Sequence, residues 1–365
     1  MLRTGVCCNC SRELFQSVLN SFKTGQGDDK LATISDVARL SGLSVSTVSR
    51  VINNKPHVSE AKKQKVLEAM EALGYSPLQA ARQMRGSGSG NIAVVVPTIT
   101  NNFFAQLVDS IERTCGKYGY RTLIIQTYGE NSGEEDALNL LKMQHADGAI
   151  LCAIENSWDF IKSYTKYGKI VACNEYNDDR EISMICAKQY EGFKKAAEYL
   201  LSKGHKTIAY CTGAKALVLQ PEGLNIDSDR YRGFIDALST GGIAANPAEM
   251  LTRIHTMEDG RRAMRQLLSR SDRPDAVIAG SDEVAAGMVI EGMAGGIRIP
   301  EDIAVMGVDD QLLASCIQIP LTTIRQPVQK EGELAAKEMI RQLRDGREDA
   351  IRKELALELV IRQSA

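Results

Sequence analysis

The sequence predicts two unlike parts: a small all-α head and, behind it, a two-lobed α/β core. Three observations carry this. Between Thr33 and Leu73, apolar residues recur at helical spacing behind Ser and Thr capping positions. From Asn91 onward, apolar strand-like runs alternate with helical segments, the pattern of βαβ units and covered parallel sheets. Those strands are too many for one comfortable sheet, so two similar lobes with a cleft at the strands' carboxyl ends are the natural solution. A length of 365 residues suits two or three folding units.

In the head, "TISD" is a capping box in which Thr33 caps and Asp36 reaches back. Ile34, Val37, Ala38 and Leu40 form the apolar face of this first helix, and "SGLS" is the turn after it. Ser44 caps "VSTVSRVIN", where Val48, Val51 and Ile52 share a face at i, i+3 and i+4. "NNKPH" is a loop. Ser59 caps a third helix with Val66, Met70 and Leu73 on one side. Ser76 and Pro77 then open a fourth segment, with an S-x-x-Q box closed by Gln79 and apolar Leu78, Ala80, Ala81 and Met84. It dissolves into Gly86–Gly90 after about nine residues, fewer than the ~12–15 a lone helix needs in water. Free, this segment is expected to fray.

The core strands are read in "IAVVVP", "TLIIQTY", "GAILCA", "KIVACN", "SMICA", "TIAYCTG", "DAVIAGS" and "IAVMGVDD". Helical patterns between them are "FFAQLVDSIERTCGKYG", "EEDALNLLKMQH", "YEGFKKAAEYLLSKGH", "SDRYRGFIDALST", "EDGRRAMRQLLSR" and "DEVAAGMVIEGMA". The expected boundaries are a disordered extension over 1–30, the helical head over 31–75, a short helical segment and linker over 76–90, and the core over 91–365. Within the core, the first lobe is expected to take 91–186 with 312–326, and the second 187–311 with 327–365.

Charge is uneven. Residues 31–85 hold eight Lys/Arg against four acids, although the whole chain is −2. A basic head on an acidic body is the asymmetry of a nucleic-acid reader. The nine cysteines include "CCNC" (Cys7, Cys8, Cys10), which has no second pair to complete a zinc site. The other six lie mostly in apolar runs, as small buried hydrophobes do. No phosphate loop or nucleophile elbow is present, and "GSGSGN" precedes a strand rather than joining strand to helix. The four His stand apart. Asp147 and the Asp309–Asp310 pair read equally as poised acids or strand-end cappers. Neither an enzyme nor a metal or cofactor is expected. No apolar run approaches the ~20 residues of a membrane span, and the start has no secretory pattern, so the expected compartment is the cytoplasm.

The second helix is the informative one. Val45, Ser46, Ser49, Arg50 and Asn53 lie opposite its apolar face. Small polar side chains with one bidentate donor suit the major groove, where Arg pairs with guanine O6 and N7.

"TISDVARLSGLSVSTVSRVINNKPHVSEAKKQKVLEAMEALGYSPLQAARQMR" closely resembles the headpiece of the LacI/GalR family of bacterial transcription regulators. The resemblance continues through "IAVVVPTITNNFFAQLVDSIE", "LLSKGHKTIAYCTG", "RYRGFIDAL", "IRIPEDIAVMGVDD", "PLTTIRQP" and "LVIRQSA", covering residues 31–365. It implies a helix-turn-helix headpiece, a hinge helix, and a periplasmic-binding-protein-like core that takes a small effector between two lobes. It also implies a homodimer, in some members a tetramer, on a palindromic operator. By position, Val45, Ser46 and Arg50 match base-reading residues, and Thr33, Thr47, Ser49 and Asn53 phosphate-positioning ones. In the family two hinge helices pair in the minor groove and wedge a Leu between bases. Met84 holds that place here, beside Arg82 and Arg85, which reach for phosphates.

The effector contacts of the family fall on Phe103, Phe104, Asn174, Arg230, His255, Ser281 and Asp309. On this reading a ring rests on Phe, while hydroxyls bridge Arg230 and Asp309, facing each other across the cleft. Asn174 stands where many members carry Asp, Ala187 and Lys188 where many carry Asp-Asn or Asp-Tyr, and His255 where Trp or Phe is common. The resemblance points to a repressor of carbohydrate-utilisation genes answering to a sugar or sugar phosphate, the extra Lys and His suiting an anion. The alternatives are a corepressor-dependent or global regulator with a purine or phosphoprotein partner, and a solute-binding protein, which would lack the head.

Overall fold

The computed structural model describes residues 32–52, 56, 58–75, 88–178, 180–213, 225–244, 246, 250–346 and 349–365. They fall into two compact units, divided between 87 and 88. The 1–30 extension and the hinge segment, with Asn53, Met84 and Arg85, lie outside the described residues.

The first unit has helices α1 (Ile34–Ser41), α2 (Val45–Ile52) and α3 (Glu60–Ala72). The capping box forms as expected. The Asp36 N–H donates to Thr33 Oγ1 at 3.4 Å, and the Thr33 N–H donates to Asp36 Oδ2 at 3.0 Å. Gly42 ends α1 at φ +67, a left-handed turn that an L side chain adopts only under strain. Ser59 takes the N-cap position of α3, but its side chain makes no capping bond, contrary to expectation. Val37, Val48, Val66 and Ala69 are fully enclosed, and Ala38 and Tyr75 complete the core. Val48 alone of α2 is buried, which turns the opposite face of that helix outward.

The second unit is two sheets. The first lobe contains β1 (Asn91–Val96), α4 (Asn102–Lys117), β2 (Arg121–Gln126), α5 (Asn131–Lys142), β3 (Gly148–Leu151), α6 (Trp158–Lys162), β4 (Lys169–Cys173) and β5 (Ser183–Ala187). The second lobe contains α7 (Gln189–Ser202), β6 (Ile208–Cys211), α8 (Ile226–Thr240), β7 (Met250–Leu251), α9 (Met257–Leu268), β8 (Ala276–Ile278), α10 (Asp282–Ala294), β9 (Ala304–Asp309), α11 (Leu312–Cys316) and β10 (Thr322–Arg325). The chain then returns to the first lobe for α12 (Val328–Asp345) and β11 (Arg352–Leu355), and ends in the second with β12 (Glu358–Val360). The sheet orders are β11-β5-β4-β3-β1-β2, all parallel, and β12-β10-β9-β8-β6-β7, parallel except at β12.

This topology corrects the expected division of the core's last third. Segment 312–326 belongs to the second lobe: β10 pairs with β9 in the register Thr322↔Met306 to Arg325↔Asp309, and Ala314 of α11 is in that lobe's core. Most of 327–365 belongs to the first lobe. Helix α12 lays Ala335, Ala336, Met339 and Ile340 into the core around β1 and β4. The fit is close: a Cβ on Gly148 of β3 would stand 2.2 Å from the Met339 sulfur, and one on Gly332 would stand 2.9 Å from the Leu107 carbonyl oxygen. The chain therefore crosses between lobes at 188, at 326–327 and at 356–357. The crossings lie side by side. The Lys188 N–H donates to the Leu355 carbonyl at 2.8 Å, and Gln189 Nε2 to Gln326 Oε1 at 3.1 Å.

Five of the six described cysteines are buried as expected; Cys316 is exposed. No described helix is long and apolar enough to cross a membrane.

Candidate nucleic-acid interface and effector cleft

In the head, the face of α2 opposite Val48 carries the small polar set. Val45, Ser46 and Arg50 are exposed, Thr47 and Ser49 half-buried. Val45 keeps 45% of its surface, an apolar side chain presented where a solvated helix would place a polar one. The Ser44 hydroxyl lies 3.0 Å from Ser46 Oγ and 2.9 Å from Thr47 Oγ1, so three hydroxyls cluster at the start of the helix with no acid in its first turn. Such a terminus favours negative charge. Thr33 stands exposed at the start of α1, held by its capping box.

In the core, the expected effector residues divide. Asn174 follows β4, in the left-handed region at φ 64. It is buried, and its side-chain oxygen has no hydrogen-bond partner among the described residues. Asp309 ends β9 at φ 103 and accepts from Gln326 Nε2 at 2.7 Å and Gln311 Nε2 at 3.2 Å. Burial raises its pKa, against the pull of Gln326 and Arg230. Arg230 lies over the Phe193 ring at 5.1 Å and donates through Nε to Gln189 Oε1 at 2.8 Å. Gln189 donates to Gln326, which donates to Asp309. Arg230 and Asp309 thus belong to one lobe, tied through glutamines at two crossings. Both lie within the 187–311 span expected for that lobe, so they stand on the same side of the cleft rather than facing each other across it.

The remaining candidates are placed differently. Phe103 is a core side chain of the first lobe, 5% exposed, and Phe104 is half-buried edge-on to it, ring centroids 5.2 Å apart. Ser281 caps α10, its hydroxyl accepting from the Val284 N–H at 3.2 Å. His255 is exposed; a Cβ on Gly213, just beyond β6, would meet its ring at 2.6 Å. Lys188, expected to favour an anion, pairs with Glu191 at 3.6 Å. Asp147 caps the start of the core, accepting from the Ser89 and Gly90 N–H groups, and Asp310 pairs with Arg325 and Arg362.

The sequence reading missed several acids near this site. Glu175 follows Asn174; burial, with Asp227 and Glu155 nearby, pushes its carboxyl up to about 8, while Arg230 works the other way. Glu331 is in the first turn of α12, fully enclosed, with neither oxygen hydrogen-bonded among the described residues. Burial and Asp309 push it up to about 8, again against Arg230. One signal for Glu331 was in the text. It falls three residues after Val328 and four before Ala335, an acid on the stripe that the helix buries. Asp282, at the start of α10, is also pushed up to about 8 by burial, although it accepts from Thr323 Oγ1 and the Gln311 N–H at 2.6 Å each. Tyr176 of the first lobe donates to Asp229 of the second at 2.9 Å, joining the lobes directly.

A helical head with an outward reading face, ahead of two α/β lobes whose polar groups gather where the strands end, defines a class: DNA-binding regulators governed by a small ligand. Comparison with known proteins gives the family. The profile for bacterial regulatory proteins of the lacI family matches residues 33–77, and that for periplasmic binding proteins and the sugar binding domain of the LacI family matches 89–358. The chain belongs to the LacI family, whose members are transcriptional regulators. It is 34% identical over 336 residues to the NTD biosynthesis operon regulator NtdR of Bacillus subtilis, covering 92% of this chain and all of that one. A LacI family regulator from Lactobacillus casei with bound glucose is similar at TM-score 0.68 and 35% identity, over 75% of this chain and 99% of the other. The lac repressor dimer bound to operator and the anti-inducer ONPF is similar at TM-score 0.77 and 25% identity, over 92% and 99%.

Proposed function

We propose that the protein is a repressor that binds a palindromic operator as a homodimer in the bacterial cytoplasm, and that a carbohydrate held in the core cleft changes its operator affinity. The outward face of α2 carries this reading: exposed Val45, Ser46 and Arg50 above the buried Val48 anchor. Arg50 reads guanine, Val45 and Ser46 pack on base edges, and Thr33, Thr47, Ser49 and Asn53 position the backbone. Met84 wedges the minor groove beside Arg85. The lac repressor dimer bound to operator, and the sugar-bound regulator of Lactobacillus casei, support both halves of the reading.

In the cleft, Asn174, Arg230 and Asp309 take the ligand's hydroxyls, Phe104 offers a ring face, and His255 and Ser281 stand at neighbouring strand ends. The acids around Arg230 favour an unphosphorylated ligand over a sugar phosphate. Catalysis has no part in this reading. Selection of genomic DNA fragments on the full-length protein tests it. Enrichment of a site with two-fold symmetry is expected; enrichment of none, or of an asymmetric one, would overturn it.

A further inference from the structure

Where β9 ends, two consecutive residues other than glycine lie in the left-handed region: Asp309 at φ 103 and Asp310 at φ 53. Such a pair is costly, and persists only where its surroundings hold it. Three sets of bonds hold it here. Asp310 pairs with Arg325 and with Arg362, at 2.7 Å each. Asp309 accepts from the side chains of Gln311 and Gln326. The third hold comes from another element. Asp282 Oδ2, at the start of α10, accepts from the Gln311 N–H at 2.6 Å. Gln311 is where the backbone returns to φ −68, so this bond fixes the exit of the turn.

Asp282 is fully enclosed. Its other oxygen, Oδ1, accepts from Thr323 Oγ1 of β10 at 2.6 Å. Gly307, two residues before Asp309, leaves room for that oxygen: a Cβ there would stand 2.1 Å from it. Burial pushes the carboxyl up to about 8. In the protonated form its hydroxyl turns to Thr323 Oγ1, and the other oxygen still accepts from the Gln311 N–H. A role in packing alone would be met by an apolar residue, without burying a carboxyl. What an apolar residue cannot do is take the N–H of the buried Gln311, which would otherwise be left without an acceptor.

We propose that Asp282 is a positioning residue for the cleft ligand: its bond to the Gln311 N–H holds the 309–311 turn, and through it the Asp309 carboxyl, in the orientation that meets the ligand. This rests on the reading of Asp309 as a carbohydrate contact. The bond to Thr323 is the structural half of the same carboxyl, tying α10 to β10. The two halves can be removed separately.

Calorimetry on the full-length protein with glucose, galactose, mannose and ribose finds the tightest of these sugars. Its Kd is then measured in variants, beside their urea unfolding. Thr323→Val removes the tie to β10 and leaves the turn bonded. Its urea midpoint should fall, while Kd stays within about threefold. Asp282→Asn keeps an oxygen for the Gln311 N–H and turns its amide to the Thr323 hydroxyl, which can accept, so Kd should also stay within about threefold. Asp282→Ala combined with Thr323→Val removes the carboxyl together with the hydroxyl that bonds it, leaving the Gln311 N–H as the unmet donor. Its Kd should rise about tenfold or more above that of Thr323→Val alone. A double variant that binds as tightly as Thr323→Val would overturn the proposal and leave the carbohydrate reading standing. So would a loss of about tenfold in Thr323→Val, which would make general packing the cause, or in Asp282→Asn, which keeps the bond. These two single substitutions decide the matter if the double variant does not fold. Binding of none of the sugars to the unaltered protein would overturn both readings.

Discussion

Replacing Glu331 by Gln separates one group's contribution to the pH dependence of the core. Its carboxyl is enclosed and unpartnered among the described residues, and stands at about 8 against an ordinary 4.5. For an acid whose folded pKa is raised, the unfolded chain ionises first. Stability is then fully present below pH 4.5 and falls as pH rises towards 8. The slope is about 1.4 kcal/mol per pH unit, so by pH 7 the group has removed on the order of 3 kcal/mol. Gln does not titrate, but keeps an unpartnered amide in the same place, at about 1–3 kcal/mol. With the two proteins near parity at pH 5, the variant should be more stable by on the order of 3 kcal/mol at pH 7.5. In a core of this size each kcal/mol moves the midpoint by roughly 2–4 °C. Thermal unfolding of both full-length proteins from pH 5 to 8, read on the core transition, checks this. Glu175 and Asp282 are raised in both, so the difference isolates Glu331. Parallel midpoint curves would refute the reasoning.

Three further outcomes are expected. Arg50→Ala should reduce discrimination between operator and mutated operator by ~1–3 kcal/mol in competition gel shifts, whereas equal weakening on operator and random DNA would make Arg50 a phosphate contact. Gly307→Ala places a Cβ 2.1 Å from Asp282 Oδ1, and should destabilise the core by roughly 1–3 kcal/mol in urea unfolding, an unchanged midpoint contradicting the fit. Tyr176→Phe removes the hydroxyl that joins the lobes to Asp229 and should favour the open core by about 0.5–1.5 kcal/mol, seen as a larger radius of gyration in X-ray scattering of the ligand-free protein; an unchanged profile would leave the bond without influence on closure.

The sequence made some of this legible because local chemistry sufficed. Thr33 and Asp36 write a capping box whatever surrounds them, and the outward face of α2 follows from Val48, Val51 and Ile52 recurring on the other side. The strand runs from "IAVVVP" to "IAVMGVDD" are apolar enough to be read without partners. Lobe membership was not legible in that way. Strand β10 and helix α12 are placed by the sheet edge and the core they find, and nothing within "LTTIR" or "VQKEGELAAKEMIRQLRD" states which lobe that is. The tie between Arg230 and Asp309 was not legible either, since Gln189 and Gln326 meet only because two crossings run together. Glu331 was readable as an acid on a buried stripe. That neither oxygen finds a hydrogen-bond partner among the described residues shows only in the folded chain.

The central claim is that ligand in the cleft and operator on the head are coupled. Fluorescence anisotropy of the selected operator, titrated with protein in the absence and presence of a carbohydrate shown to bind the core, at saturation, measures it directly. The account predicts a change in operator Kd of about 5–150-fold, a coupling of 1–3 kcal/mol. Identical operator isotherms with the ligand demonstrably bound would contradict it.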